Sequence, residues 1–130
     1  MQNFLQGIKI MTENNFEARL LTPDDYKGFA TVYNDFRNRA VEEYKFELEP
    51  LGFDDFVDSV DKKLIDCLVL YENTIPVAFL VYTTAISEAV ELNIIHSFKM
   101  ENMAERSVYL IKKFLELTKA ERTEKIVCYP

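Results

Sequence analysis

Glu91 and His96 are the two side chains best suited to moving a proton near neutral pH, and one run, residues 88–98 (EAVELNIIHSF), holds both. The run reads as a strand. Its period of two places Glu91, Asn93, Ile95 and Ser97 on one face and His96 with Leu92 and Ile94 on the other. Glu91 lies mid-strand in Val90-Glu91-Leu92. Partial desolvation raises the basicity of a carboxylate, which makes a half-buried glutamate a general-base candidate. The competing reading is an outward-facing strand glutamate. His96 is the only histidine, and imidazole titrates nearest neutrality; with no acid close in sequence it also reads as a structural or rim residue.

A second constellation follows immediately. Residues 99–104 (KMENMA) lead into a helix-like segment that ends near Arg122. A helix N-terminus presents unpaired N–H groups and the positive end of the helix dipole, so this junction is where a phosphate-bearing ligand would sit. Lys99, Arg106, Lys112 and Lys113 gather positive charge here in an otherwise acidic chain. Against that stands the reading of a solvated helix face with mixed charges. Tyr71, Tyr82, Tyr109 and Tyr129 are possible proton donors, although tyrosines at strand and helix positions commonly pack and hydrogen-bond.

Other chemistries lack their residues. No Gly-x-Ser-x-Gly, His-Glu-x-x-His or P-loop pattern occurs, which argues against a serine hydrolase, a zinc protease and a P-loop nucleotidase. Cys67 and Cys128 sit apart in apolar runs without a CxxC partner, a poor zinc set and the pattern of buried free thiols. No metal site is expected. The net charge of −7 argues against nucleic acid as a general partner. No apolar run approaches the roughly 20 residues that span a bilayer, and no secretory leader is evident at the N-terminus. The expectation is a cytoplasmic protein without a membrane partner.

The elements that must position these groups follow from periodicity. Residues 1–15 read as a leader or mobile arm, and 16–130 as one domain. Residues 16–21 (FEARLL) alternate as a short strand. Thr22-Pro23-Asp24-Asp25 then starts a helix, with Thr22 as N-cap and acids in the first turn. Its apolar stripe is Tyr26, Phe29, Ala30, Tyr33 and Phe36. Residues 38–50 are charged and end in Glu-Pro, which disfavours helix. Residues 52–64 return to helical spacing with Phe53, Phe56, Val57, Val60 and Leu64. Strands at 66–72 and 76–86 flank a turn of hairpin length, Asn73-Thr74-Ile75. In the last helix Leu110, Ile111, Phe114 and Leu117 form the inward stripe, while Glu105, Arg106, Lys112, Lys113, Glu116 and Lys119 face solvent. Residues 121–124 form its exit, and 125–129 (KIVCY) a final strand. The order implies a mixed sheet with helices packed on it.

That order resembles the GNAT superfamily, the acyl-CoA-dependent N-acetyltransferases. FEARLLTPDDYKGFATVYNDF is similar to the family's first strand and helix, DCLVLYENTIPVAFLVYTT to its second and third strands, and EAVELNII with the loop and helix after it to its fourth strand and cofactor-binding helix. KIVCY would be the fifth strand. The resemblance implies an α/β (α+β) fold, a mixed and mostly antiparallel sheet, with acetyl-CoA as co-substrate. The family's loop after the fourth strand usually reads Gln/Arg-x-x-Gly-x-Gly/Ala; here it is Lys99-x-x-Asn102-x-Ala104. The last glycine of the chain is Gly52, so Asn102 stands in, being the non-glycine residue that best tolerates the left-handed region. Glu101 and Glu105 bring negative charge beside the loop. On this resemblance the cofactor contacts are Ile95, His96, Ser97, Lys99, Asn102, Met103, Ala104, Glu105 and Arg106, with Glu91 and His96 catalytic. The family usually continues past the fifth strand with a helix and two strands; the expectation is a domain truncated there, whose sheet edge a homodimer would cover. Two functions stay open: an N-acetyltransferase acting on a small-molecule or protein amine, or a non-catalytic GNAT-like binding or interaction module.

Overall fold

The computed structural model describes residues 16–42, 50–86, 89–120 and 125–128. The expected leader at 1–15, the helix exit at 121–124 and Tyr129 lie outside them. β1 (Phe16–Leu20) runs into a 3₁₀ turn (Pro23–Asp25) and then α1 (Tyr26–Glu42). Pro23 and two acids start this helical stretch, but the Thr22 hydroxyl does not cap backbone as expected. It donates to the Asp25 carboxylate at 3.3 Å, and Asp25 N–H is satisfied by the Thr22 carbonyl at 2.9 Å.

The face α1 buries is Phe29, Val32, Tyr33, Phe36 and Ala40. α2 (Phe53–Asp61) adds Phe56 to the same core. Leu64, expected on that helix's stripe, lies beyond its end and is 63 % exposed, because the chain leaves the helix through Lys63 at φ 61°. β2 (Asp66–Glu72) and β3 (Ile75–Ile86) form a hairpin. Its turn is two residues, not three: Asn73 and Thr74 both have positive φ (54° and 70°), and Ile75 already pairs with Glu72. Positive φ at both central positions matches the twist of the flanking strands.

β4 (Ala89–Ser97) follows, then a 3₁₀ turn (Phe98–Met100), α3 (Met103–Ala120) and β5 (Lys125–Cys128). The strands stand in the order β1-β2-β3-β4-β5. The first four are antiparallel, and β5 is parallel to β4 across the α3 crossover. α1 and α2 cover one face, around Phe29, Phe36, Val69 and Phe79. α3 covers the other, around Leu68, Leu80, Tyr82, Leu110 and Phe114.

Two readings of side-chain direction need correction. In β4 the register jumps from Val81↔Ile94 to Tyr82↔Leu92, leaving Asn93 as an extra, bulged residue. Strict alternation therefore fails. Val90 and Leu92 pack toward α3, Ile94 toward α1 and α2, and Ile95 toward α3 again. Ile95 and Ser97 thus leave the face of Glu91, and His96 leaves the face of Leu92. In α3 the buried stripe is Arg106, Leu110, Phe114 and Thr118, spaced by four, whereas Ile111 is 37 % exposed. Arg106 faces inward, not to solvent.

Among the described residues β5 accompanies β4 over Ala89–Leu92. From Asn93 to Ser97, β4 has β3 on one side and no strand on the other among the described residues.

Candidate functional site

The C-terminal half of β4 connects two places where polar groups converge. At its C-terminal end the chain passes through three left-handed residues without a glycine: Lys99 (φ 55°), Met100 (φ 61°) and Asn102 (φ 48°). Asn102 behaves as its side-chain type predicts. Its carbonyl accepts the first bond of α3, from Arg106 N–H at 3.0 Å, so the N–H groups of residues 103–105 head the helix.

Two side chains hold this loop. Asp35 of α1 reaches across to accept the Lys99 backbone N–H at 2.8 Å, and the same oxygen meets His96 Nε2 at 2.8 Å; its other oxygen accepts Arg39 Nε at 3.2 Å. Burial raises the Asp35 carboxyl pKa, but bonds from Lys99, His96 and Arg39 outweigh it and hold the group below its ordinary value. Burial lowers the His96 pKa, with Asp35 opposing and Arg39 assisting, and the net direction is down. His96 is 1 % exposed, against the rings of Phe36 and Phe79. It is a buried member of the α1-side core, removed from the open flank of β4.

Arg106, 6 % exposed, works from the opposite face. Its Nη1 donates to Ser97 Oγ at 2.9 Å, to the Glu101 carbonyl at 3.3 Å and to the Val77 carbonyl at 3.4 Å; Nη2 donates to Glu72 Oε1 at 3.3 Å. The Ser97 hydroxyl in turn donates to the Glu101 carbonyl. One guanidinium thereby joins β2, β3, the end of β4 and the loop. Lys99, in contrast, keeps its ammonium on the surface near the Phe98 ring.

The second place is the bulge. Glu91 Oε1 accepts Thr83 Oγ1–H at 3.3 Å and Asn93 Nδ2–H at 3.5 Å. Asn93 lines a cavity of about 230 Å³ on the α1–α2 face, walled by Tyr33, Phe36, Phe56, Ile65, Val81 and Ile94 and closed on one side by Pro50 and Leu51. Burial pushes the Tyr33 phenol up to about 12, and its hydroxyl donates to the Leu51 carbonyl at 2.6 Å, fixing that wall. A larger depression of about 410 Å³ lies at the opposite sheet edge, between β1 and α3, where Glu17, Lys112, Lys113 and Glu116 carry mixed charge and nothing converges.

Of the other expected groups, Tyr82 is buried against Phe114, Tyr109 donates to the Phe16 carbonyl at 3.1 Å, and Tyr71 lies under the Arg19 guanidinium. Cys67 is a buried free thiol, pushed up by desolvation. Among the described residues no cluster of His, Cys, Asp and Glu could hold a metal ion, and no helix is long and apolar enough to cross a membrane. Sequence reasoning missed Asp35 and Asn93. Arg106 was visible as the residue four before Leu110.

No family model and no curated protein sequence matches the chain. Solved structures do. A ribosomal-protein-alanine N-acetyltransferase from Brucella melitensis biovar Abortus 2308 is similar over 87% of this chain and 79% of its own, with TM-score 0.67 and 14% identity. A possible acetyltransferase from Clostridium difficile 630 is similar over 90% and 80%, with TM-score 0.66 and 19% identity. Aminoglycoside N-acetyltransferase AAC(6')-Iy, solved in complex with CoA, gives TM-score 0.64 at 6% identity over 88% and 76%. With four antiparallel strands, a bulged β4, a parallel β5 and helices on both faces, this chain has the fold of the GNAT acetyltransferases.

Proposed function

We propose that the chain is an acyl-CoA-dependent N-acyltransferase. The observation that carries the reading is β4, which β5 accompanies over Ala89–Leu92 alone among the described residues, with an anion-suited helix start at one end and, at the other, the Glu91 carboxylate bonded to Asn93, which lines a cavity. The residues fit the group. The Ile95–Ser97 stretch of β4, beside which β3 is the one strand among the described residues, suits an extended pantetheine arm. Lys99 and the N–H groups at Asn102, Met103, Ala104 and Glu105 are suited to phosphates. Arg106, His96 and Ser97 act there through position, by holding the loop. Bound acetyl-CoA supplies an activated thioester carbonyl.

Glu91 takes the proton released as the acceptor nitrogen bonds to the acyl carbon and the C–S bond breaks; the thiolate leaves and is protonated by water. Holding amine and acyl carbon in contact supplies much of the rate in such a transfer.

A second reading, a non-catalytic GNAT-like module, is favoured by one observation. The Lys99 N–H is already committed to Asp35, and Glu101 and Glu105 flank the same loop. Titration of acetyl-CoA followed by amide NMR separates the cases. The expected perturbations map to residues 95–106, and shifts confined elsewhere would refute the placement. Lys99→Ala should weaken CoA roughly threefold without unfolding, since an exposed lysine adds little to stability. Binding without thiol release on any amine would favour the module.

A further inference from the structure

β1 is the outer strand of the sheet, and among the described residues β2 is its one strand neighbour. Its backbone alternates in direction. The Leu21 N–H donates to the Cys67 carbonyl at 2.9 Å, and the register continues as Arg19↔Val69 and Glu17↔Tyr71. Those residues turn their N–H and C=O groups toward β2, so Phe16, Ala18 and Leu20 turn theirs outward. The Tyr109 hydroxyl, which donates to the Phe16 carbonyl at 3.1 Å, agrees with that direction, and the carbonyl keeps a second lone pair. Side chains divide in the same way. Leu20 is 42 % exposed, and Phe16 and Ala18 line the depression of about 410 Å³ beside α3. Glu17 and Arg19 stand on the other face, their charged groups 2.9 Å apart, with Arg19 over the Tyr71 ring.

We propose that a second copy of this chain pairs with β1 across a two-fold axis at Ala18, joining the two sheets edge to edge. The strand sequence Phe-Glu-Ala-Arg-Leu is self-complementary when laid antiparallel on itself, which is what a two-fold contact demands. Ala18 meets Ala18, so a small side chain stands at the axis. Glu17 of each copy meets Arg19 of the other, opposite charges at a non-hydrogen-bonded pair, where facing side chains lie closest. Phe16 meets Leu20, which covers the exposed leucine at the rim of the depression. The outward N–H groups of Phe16, Ala18 and Leu20 donate to the carbonyls of Leu20, Ala18 and Phe16 of the second copy. Charge fixes the register. Sliding one strand by two residues sets Glu17 against Glu17 or Arg19 against Arg19, and like charges directly opposite are destabilising. The contact is independent of the acyltransferase reading, because β4 lies on the far side of β2 and β3.

A ladder of this length buries less than a standard interface, so the dimer is weak and is read by analytical ultracentrifugation of the full chain up to about 1 mM. Amide hydrogen exchange by NMR locates the contact. Ala18 and Leu20 should exchange slowly in the dimer and fast on dilution, while Glu17 and Arg19, bonded to β2, stay protected at both concentrations. Glu17→Arg and Arg19→Glu should each weaken association at least about tenfold, and an equal mixture of the two should restore it, since every facing pair then carries opposite charges. Glu17 is exposed, so Glu17→Arg should keep its urea midpoint. Arg19 also touches Tyr71 and Asp25; if Arg19→Glu unfolds, Glu17→Arg and the exchange pattern decide the question. A monomer throughout the series, or a mixture of folded variants that stays monomeric, would overturn the proposal. So would self-association that leaves Ala18 and Leu20 exchanging fast, which places the contact elsewhere, or their protection at every concentration, which means that one chain covers its own edge.

Discussion

Replacing Arg106 by methionine tests how the loop after β4 is built. Methionine keeps an unbranched stem in the gap between α3 and the sheet and deletes every donor. The bond to Ser97 Oγ is well formed at 2.9 Å; those to Glu101, Glu72 and Val77 are longer, at 3.3, 3.3 and 3.4 Å. A hydrogen bond from a charged donor contributes about 1.5–3 kcal/mol, and loss of one partner from a buried pair costs about 3–5 kcal/mol. The Glu72 side chain is 34 % exposed and rehydrates when released, which trims the upper figure. The expected loss is about 3 kcal/mol, or roughly 12 °C in Tm at about 4 °C per kcal/mol for a domain of this size. Urea unfolding measures it as a lower midpoint at unchanged slope. Arg106→Lys should recover part of the loss, because one ammonium cannot span four acceptors. A loss below about 1 kcal/mol together with a collapse of CoA affinity would refute the reasoning, since it would mean that Arg106 meets phosphate and holds no structure.

Stability should fall as pH drops through about 6.5. Burial keeps His96 neutral in the fold, so the unfolded chain binds the extra proton in that window, and His96→Gln should flatten the slope. Asp35 acts in the same direction at lower pH. Its contribution is present above the ordinary carboxylate value and is lost as pH falls through its lower folded value; acid unfolding of Asp35→Asn should lack that step. Thr74→Gly should stabilise by about 1 kcal/mol, since a β-branched residue at φ 70° is strained where glycine is not, and an unchanged urea midpoint would contradict this. Glu91→Gln should lower kcat about 100-fold while leaving the KM for acetyl-CoA unaltered, and an unaffected kcat would exclude it as the base.

Much of this fold was readable because its elements obey local rules. The alternation in β1, the continuous apolar run of β2, the Pro-Asp-Asp start before α1 and the Phe29–Tyr33–Phe36 spacing each follow from backbone geometry and the faces that are buried. So does Asn102, where the side-chain type tolerates the backbone the loop requires. What escaped depends on distant partners. Asp35 carries no local signal, because its partners His96 and Lys99 lie 61 and 64 residues away. Arg106 was assigned to solvent by charge, although its spacing to Leu110 and Phe114 placed it inward. The bulge at Asn93 carries no glycine or proline to announce it, so strict alternation misplaced Ile95, Ser97 and His96.

The anchoring of Pro50 and Leu51 has a consequence for how this site can change. Tyr33 holds the Leu51 carbonyl and Arg37 Nε donates to the Pro50 carbonyl at 3.4 Å, so the chain returning from α1 is fastened to that same helix just where it walls the cavity. A connection fastened at both ends pays for extra length only logarithmically: each doubling adds about 0.6 kcal/mol of closure entropy. Insertions between Glu42 and Pro50 therefore leave the sheet, the bulge and Glu91 where they are. Length in that connection can therefore change at almost constant stability, while the bulged stretch of β4 stays fixed.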